Sequence, residues 1–399
     1  MNTLQQIKER AQTLSAELID YRRYLHAHPE LSYQEKGTAA FLSGLLSRWQ
    51  ISHQTQVGGY GIVGLIKGRN PDKKVIALRA DMDALPISEE NRFDYQSENQ
   101  GVMHACGHDV HMACLLGAAQ ILNEMKDLFE GSIKLIFQPA EEKAPGGALQ
   151  MIEEGVLSNP DVDAIFGQHV FPDLESGKVG FRSGIFMASS DEINLIVRGR
   201  GGHAALPDKT DDTILATAHI ITAMQHIISR KANPLTPSVL SFGQIVTQGG
   251  AMNVIPGKVS VYGTFRTFDE TWREKALHLI AETAQDTAKA FGCTCQVELV
   301  KGYPFLINDD DLTKQAKSAA IEFLGESNVV DLQPRMTVED FARYSHLIPA
   351  CFYRLGSGNP EKGITSGLHT PVFDVDEKSL ETGAGLMAWL AIKQLIISH

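Results

Sequence analysis

Residues 104–111 read HACGHDVH, a run in which three histidines, a cysteine and an aspartate surround one glycine. In an extended segment alternate side chains share a side, so Cys106 and His108 can converge across Gly107, which leaves space for an ion. A thiolate and an imidazole together suit zinc or a similar transition metal. A redox pairing of Cys106 with Cys114 is a weaker alternative, because the residues between them lead into a helix. The motif alone predicts either a metal site or a polar structural turn.

Further candidate residues follow predicted strands or lie in loops. The pair Glu141–Glu142 follows an apolar strand, in which neighbouring side chains point to opposite sides. One carboxylate can therefore bind a metal while the other addresses a water. His169 follows the next strand, and His369 lies on a loop near the C-terminus. Taken singly, such a histidine is more often structural and a Glu-Glu pair is usually a solvated corner, but their common placement favours one site.

Segments with helical periodicity alternate with short apolar runs along the chain. The helices and strands that they predict would position these residues. The predicted helices cover 4–27, 36–49, 111–125, 310–324 and 377–396, and the predicted strands cover 61–68, 74–84, 131–142, 162–170 and 351–357. The alternation indicates an α/β layer architecture. In such sheets ligands gather at the carboxyl ends of strands, where this chain delivers aspartate, glutamate or histidine.

The middle of the chain has a different order. Its predicted strands cover 191–199, 238–246, 258–268 and 294–300, and its predicted helices cover 211–230 and 271–291. The resulting β-α-β-β-α-β order is the split pattern of ferredoxin-like domains. We therefore expect a smaller domain at 187–301, inserted into a larger one formed by 1–186 and 302–399.

Composition and charge limit the class of protein. A chain of 399 residues exceeds what one hydrophobic core usually serves, so two domains are expected. The net charge of −12 argues against binding to nucleic acid or to an anionic membrane, which needs clustered Lys and Arg. We find no signal-peptide pattern and no run of about 18 apolar residues that would predict a membrane span. Five unevenly scattered cysteines fit a reducing cytoplasm.

Ten short stretches contain most of the residues that could do chemistry. In chain order they are YRRYLHAHPELSYQE, LRADMDALPI, MHACGHDVHMA, FQPAEE, GQHV, GRGGHAALP, NVIPG, GTFRTFD, VEDFARY and GLHTPVFDVDE. Together they resemble the M20 metallopeptidase and amidohydrolase family, in its aminoacylase-like D branch of hippurate hydrolases, N-acetyl-diaminopimelate deacetylases and auxin-conjugate hydrolases. The resemblance implies a zinc-peptidase-like α/β catalytic domain with an inserted ferredoxin-like lid that also mediates dimerisation.

The resemblance also implies two divalent metal ions per subunit. Glu141 is implied as the general base that activates the attacking water. The thiolate favours zinc, with manganese, nickel or cobalt as alternatives. The implied metal ligands are Cys106, His108, Glu142, His169 and His369.

One segment departs from the pattern of many M20 branches. Those branches carry His-x-Asp where this chain has Asp81-Met82-Asp83, so Cys106 with His108 is expected to replace that histidine, as in the D branch. Asp83 is then expected to assist catalysis by orienting a metal-bound histidine. Asp81 is not expected to be a ligand, and His104 and His111 are expected to have structural roles.

Three residues of the inserted domain complete the implied site. His203 resembles the residue that stabilises the oxyanion, reaching the partner subunit's site. Asn253 and Arg266 resemble residues that hold the substrate carboxylate, for which a guanidinium is well shaped. Without the resemblance, His203 would be interpreted as a turn residue beside Pro207 and Arg266 as a surface charge. The implied assembly is a homodimer through the lid.

The implied reaction is hydrolysis of the amide bond of hippurate-like or N-acetylated L-amino acids. A dipeptidase or carboxypeptidase of the same family, or an N-carbamoyl hydrolase, would use the same chemistry with a different substrate pocket. A catalytically inactive binding protein is the non-enzymatic alternative. Such a protein should lack ligands or the base, whereas every D-branch position is filled here.

Overall fold

A computed structural model describes residues 2–396 and divides the chain into two compact units. The first unit contains the residues up to Phe186, the segment Ile307–Pro334 and the residues from Asp340 onward. The second unit contains Met187–Leu306 and Arg335–Glu339. The insertion predicted at 187–301 falls inside this second unit. Residues 1 and 397–399 of the predicted larger domain lie outside the described residues.

The helices begin at residues with clear local causes. Asp212, Asp269 and Asp309 each accept a backbone N–H at the start of a helix, the preferred role of aspartate at that position. The helices are α1 (Thr3–Ala27), α2 (Lys36–Arg48), α3 (His108–Glu124), α4 (Gly147–Glu153), α5 (Thr213–His226), α6 (Glu270–Ala290), α7 (Asp310–Leu324), α8 (Ala342–Ser345) and α9 (Lys378–Leu395). In the described part of the chain, no helix combines the length and apolar character that a membrane crossing requires.

The strands fall into the expected alternation with these helices. They are β1 (Ser52–Val57), β2 (Gly61–Lys67), β3 (Val75–Asp81), β4 (Ser132–Gln138), β5 (Ala164–Glu175), β6 (Val179–Phe181), β7 (Gly184–Met187), β8 (Asp191–Arg198), β9 (Gly202–His203), β10 (Ser238–Thr247), β11 (Val254–Ile255), β12 (Lys258–Thr267), β13 (Thr294–Lys301), β14 (Leu306–Asn308), β15 (Val329–Asp331) and β16 (Ala350–Gly358).

The first unit is built on one mixed sheet. Among the described residues its strand order is β1-β2-β4-β3-β5-β16-β6-β15. The central strands β4, β3, β5 and β16 are parallel, which places their carboxyl ends at one edge. Every residue of β3, β4 and β16 is buried, as expected when layers cover both faces of a parallel sheet. Helices α1, α3 and α9 pack together, and α3 and α9 also contact β3.

The second unit confirms the ferredoxin-like order predicted from sequence. Apart from the two-residue strands β9 and β11, which pair with each other, the order is strand, helix, strand, strand, helix and strand: β8, α5, β10, β12, α6 and β13. The sheet order is β10-β12-β8-β13, and all neighbours are antiparallel. Burial alternates along β8, so that Ile193, Leu195 and Val197 enter a core shared with α5 and α6.

Several short elements differ from the sequence expectation. The strands β1, β6 and β15 were not predicted, because β1 is mostly polar and the other two are only three residues long. The helix predicted over 211–230 ends at His226 and continues as a π-helical turn, Ile227–Lys231. Helix α3 begins at His108 rather than at His111, and this difference bears directly on the site.

Candidate metal centre

Cys106 and His108 converge through a tight turn, not through the extended segment predicted from sequence. Gly107 has a φ of 80°, in the left-handed region, and His108 is already the first residue of α3. Both candidate ligands are buried, with Cys106 7% exposed and His108 fully enclosed. The turn therefore presents a thiol and an imidazole from the start of a helix.

Gly107 leaves space for a strand, which corrects the expectation that it leaves space for an ion. A Cβ at position 107 would lie 2.4 Å from Cγ2 of Val170, the residue after His169. The absence of a side chain lets the turn approach β5 closely. Cys106 Sγ consequently lies 3.4 Å from His169 Nε2.

The sequence predicted His169 at the end of a strand, but the residue lies inside β5. Pairing of β5 with β3 stops at Gly167, whereas pairing with β16 continues to Phe171 and beyond. His169 is therefore level with the carboxyl end of β3, although its own strand runs on to Glu175. Its Nδ1–H donates to the Val170 carbonyl at 2.8 Å, which leaves the lone pair of Nε2 facing Cys106.

Glu141 and Glu142 lie in a turn after β4, where an extended strand end had been expected. Both backbone N–H groups donate to Asp83, that of Glu141 to Oδ1 and that of Glu142 to Oδ2, each at 3.0 Å. The two side chains diverge from this common anchor. Glu142 Oε1 lies 3.8 Å from His108 Nε2, while Glu141 Oε1 accepts a 3.3 Å hydrogen bond from the Asp340 backbone.

His369 reaches the same place from the C-terminal part of the first unit. Its backbone N–H donates to the Ala105 carbonyl at 2.8 Å, and its φ of 60° turns the chain at that point. The imidazole Nε2 lies 3.3 Å from Cys106 Sγ and 3.5 Å from Glu142 Oε1. Its side chain is 53% exposed, so His369 forms the open side of the cluster.

These separations fit ligands that share metal ions. Two ligands on one tetrahedral zinc ion lie about 3.3–3.8 Å apart, given metal–ligand bonds of about 2.0–2.3 Å. The candidate ligand atoms form compact groups, Cys106 with His108 and His169, and Cys106 with Glu142 and His369. Cys106 belongs to both groups. His108 Nε2 and Glu142 Oε1 are buried and make no hydrogen bond within the described residues, which a bound cation would correct.

The charge balance of the cluster also favours a cation. Burial, together with the nearby carboxylates Glu142 and Glu141, raises the pKa of the Cys106 thiol well above its ordinary value. A divalent ion reverses that situation, because it deprotonates a coordinating thiol. Burial lowers the pKa of His169 well below its ordinary value, so this imidazole is neutral, as a ligand must be.

His108 is held by a carboxylate on its other nitrogen. Burial alone lowers its pKa, but Asp81 and Asp83 outweigh that effect and raise the pKa to about 10. His108 Nδ1 lies 3.4 Å from Asp83 Oδ1, the arrangement in which a carboxylate orients a metal-binding histidine. Asp83 therefore contacts one candidate ligand and supports the backbone of another.

Asp81 and His111 are engaged with other groups. Asp81 Oδ2 accepts a hydrogen bond from Arg79 at 2.6 Å, and Asp81 Oδ1 accepts one from His111 Nδ1 at 2.5 Å. The Val170 backbone N–H donates to His111 Nε2 at 2.9 Å. Both nitrogens of His111 are thus used to fix the first turn of α3 against β3 and β5.

His104 is fully buried beside the cluster. Burial lowers its pKa to about 3, so the ring is neutral at ordinary pH. Neither ring nitrogen makes a hydrogen bond within residues 2–396. His104 belongs to none of the possible metal-ligand groups among the described residues, and the structural role expected from sequence stays a prediction.

The three candidate residues of the inserted domain all lie in the second unit. His203 on β9 pairs with Val254 on β11, and the Ala204 N–H donates to the Asn253 carbonyl at 3.0 Å. His203 and Asn253 are therefore neighbours, and both are exposed. Arg266 is partly buried and donates to the Met336 carbonyl at 2.8 Å, so its guanidinium is more than the surface charge that spacing alone suggested.

Two supporting residues were not singled out from sequence. The Asp340 backbone N–H donates to Glu141 Oε1. The Asp340 carboxylate in turn accepts hydrogen bonds from Arg79 and Gln138, each at 2.8 Å. Glu35 accepts the N–H of Ala140 at 2.8 Å. Both occur in stretches that carried the family resemblance, VEDFARY and LSYQE, but single acidic residues there gave no indication of their partners.

Similarity to known proteins covers most of the chain. Residues 77–393 match the model of Peptidase family M20/M25/M40. The chain is 42% identical to an N-acyl-L-amino acid amidohydrolase of Geobacillus stearothermophilus over 77% of this chain and 82% of that protein. It is 38% identical to thermostable carboxypeptidase 2 of Saccharolobus solfataricus over 98% of this chain and 99% of that protein.

A solved structure of the same family is also similar to this chain over nearly its whole length. The YXEP protein of Bacillus subtilis, described as a dinuclear metal-binding peptidase of the M20 family, matches with a TM-score of 0.81 and 34% identity. The match covers 96% of this chain and 99% of that one. The resemblance predicted from sequence motifs is confirmed: the chain belongs to peptidase family M20, whose members are metal-dependent hydrolases.

Proposed function

We propose that this protein is an amidohydrolase that cleaves the amide bond of N-acyl-L-amino acids. The observation that carries the proposal is the convergence of one thiol, three imidazoles and one carboxylate, with the second carboxylate of Glu141 beside them. The 42% identity to an N-acyl-L-amino acid amidohydrolase supports this substrate class.

The residues that would hold two divalent ions are the five candidate ligands, Cys106, His108, Glu142, His169 and His369. When bound, the ions supply Lewis acidity, which polarises the amide carbonyl and lowers the pKa of the attacking water. The thiolate favours zinc, and manganese, nickel and cobalt remain chemically compatible with the same side chains.

Glu141 is the general base of the proposed reaction. Its carboxylate is buried and accepts the backbone N–H of Asp340; it lies outside both Cys106-containing groups, although it lies close to His108 and Glu142. In this position it accepts a proton from the attacking water and later donates that proton to the departing amine. Asp83 fixes the turn that carries Glu141 and orients the imidazole of His108.

We assign the remaining roles to the second unit. His203 is the proposed donor to the oxyanion of the tetrahedral intermediate, and Asn253 and Arg266 are proposed to hold the substrate carboxylate. A homodimer through this unit is supported by its exposed large apolar side chains, a surface composition typical of interfaces. These side chains include Leu206, Ile214, Leu215, Leu235, Ile245 and Met252. The free thiols of all five cysteines would persist in a reducing compartment, so the cytoplasm is the proposed location.

The test of the proposed function is a hydrolysis assay on zinc-loaded protein. Acetyl-, benzoyl- and long-chain acyl-amino acids are compared with dipeptides, and Glu141→Gln is compared with the exposed control Glu153→Gln. We expect acyl-amino acids to be hydrolysed fastest, Glu141→Gln to retain metal but lose about 10²–10⁴-fold in kcat, and the control to match wild type.

Two results would contradict the proposal. Faster turnover of dipeptides than of acyl-amino acids would favour the carboxypeptidase or dipeptidase alternative. The similarity to thermostable carboxypeptidase 2 is the observation that supports this alternative. Undiminished kcat in Glu141→Gln would remove Glu141 from the role of base.

A further inference from the structure

The turn between β4 and α4 has an unusual backbone. Ala140, which precedes Glu141, has a φ of 52°, although it is not glycine. This left-handed conformation is disfavoured for residues with a Cβ, so other contacts must hold it. The conformation decides where the next two side chains point, because they follow directly in the chain.

Three consecutive backbone donors in this turn are bound by two carboxylates. The Ala140 N–H donates to Glu35 Oε1 at 2.8 Å, and the N–H groups of Glu141 and Glu142 donate to the two oxygens of Asp83 at 3.0 Å each. The Gly147 N–H donates to the Ala140 carbonyl at 3.0 Å. The turn is therefore fixed from outside by side chains of two other segments.

The position of Glu35 is not explained by its own helix. Glu35 precedes α2, yet its side chain makes no capping hydrogen bond to that helix. Glu30 instead accepts the N–H groups of Gly37 and Thr38 at 2.9 and 2.8 Å. Glu35 is fully buried, and its Oε2 makes no hydrogen bond within the described residues. Burying a carboxyl group is unfavourable unless it gains hydrogen bonds, and Glu35 Oε1 accepts one from the Ala140 N–H.

The loop that carries Glu35 also orients the second carboxylate. Ser32 Oγ donates to Asp83 Oδ2 at 2.6 Å, and the Ala84 N–H donates to the Glu30 carbonyl at 2.8 Å. Segments 30–35 and 83–84 are thus joined to each other and to the turn.

We propose that Glu35 is a positioning residue for the proposed reaction: with Asp83 it holds the turn 140–142 so that Glu141 and Glu142 diverge toward their separate roles. The chemical consequence rests on the proposed function. The structural statement, that Glu35 fixes the left-handed Ala140, does not depend on any substrate.

The experiment uses four variants of the full chain. Glu35→Ala removes the acceptor, whereas Glu35→Gln keeps an amide oxygen able to accept the same N–H. Glu35→Ala combined with Ala140→Gly supplies a residue that adopts positive φ readily. Glu30→Ala is the matched control, since it removes the acceptor that caps α2 from the same loop but does not contact the turn.

The first readout is amide hydrogen exchange in metal-free protein over the peptide that contains residues 140–142. We expect faster exchange in Glu35→Ala, near-wild-type protection in Glu35→Gln and unchanged protection in Glu30→Ala. Equal protection in wild type and Glu35→Ala would overturn the proposal, whatever the protein hydrolyses.

The second readout is kcat and KM on the best acyl-amino acid, with metal content measured in parallel. We expect Glu35→Ala to lower kcat about 10- to 100-fold with KM nearly unchanged, as for a displaced catalytic group. Glu35→Gln should retain most of the activity, and Ala140→Gly should restore part of it. Equal losses in Glu35→Gln and Glu35→Ala, or a loss fully explained by missing metal, would overturn the positioning role. Inactivity of the wild type would overturn the proposed function alone.

Discussion

At the scale of single residues, the site depends on how closely unlike side chains approach. Cys106 Sγ lies within 3.4 Å of imidazole nitrogens from two distant segments, and the approach to His169 is possible because Gly107 has no Cβ. The residue types at 106 and 108 could be predicted as ligands from sequence. The function of the glycine could not, because it depends on Val170 of another strand.

Gly107→Ala tests this close approach, and Gly101→Ala is its matched control. Both glycines have a φ of 80°, but a Cβ at 101 meets nothing within 4 Å whereas one at 107 would meet Val170 at 2.4 Å. Gly101→Ala should cost about 1–2 kcal/mol from backbone strain alone. Gly107→Ala should cost a further ~1–3 kcal/mol from overpacking and should lose metal. Urea unfolding measures the loss of stability, and elemental analysis measures the loss of metal. Equal effects in the two variants would refute the steric explanation.

At the scale of elements, helix α1 is tied to the start of α3 by a buried ion pair. Arg22 and His26 lie four residues apart, on one face of α1, and both contact Asp109 in the first turn of α3, each at 2.8 Å. Asp109 follows His108 directly, so the pair fixes the element that presents a candidate ligand. Amphipathic spacing predicted both helices, but the charged contact between them required the structure.

Arg22→Met should destabilise the fold strongly, with Arg23→Met as the control. Arg22 and Asp109 are fully buried, so removal of the arginine leaves the carboxylate with His26 as its remaining charged partner and should cost about 3–5 kcal/mol. Arg23 also pairs with a carboxylate, Glu377 at 2.7 Å, but its side chain is 46% exposed and its loss should cost less than about 1 kcal/mol. Denaturant unfolding of the metal-free proteins measures the difference, and similar costs would mean that the buried pair contributes no more than the exposed one.

At the scale of the whole molecule, sequence order predicted two architectures within one chain. The ferredoxin-like order of the second unit could be predicted because the four strands of its main sheet are long and its two helices have a clear apolar periodicity. The last two strands at one side of the large sheet, β6 and β15, could not be predicted, since each has three residues and is defined by its pairing with neighbouring strands. The common placement of the candidate residues at strand ends and in loops favoured one site, but the individual ligands could be assigned only through the family resemblance.

Mixing of subunits tests whether the proposed homodimer shares its sites. Glu141→Gln and His203→Ala are each expected to be inactive as homodimers. If His203 serves the partner subunit, random mixing should restore roughly a quarter of the wild-type rate, because half of the dimers are mixed and each has one complete site. Absence of recovery in verified mixed dimers would show that His203 acts within its own chain, and a monomeric protein in solution would contradict the dimer itself.

The separation of Cys106 and His369 by 263 residues has a consequence for biosynthesis. All five candidate ligands cannot surround an ion until residue 369 has been synthesised and the segment that bears His369 has docked beside Ala105. A nascent or truncated chain would carry the cysteine motif without the partner that completes it. We therefore expect the complete ligand set to form only after this late segment has docked.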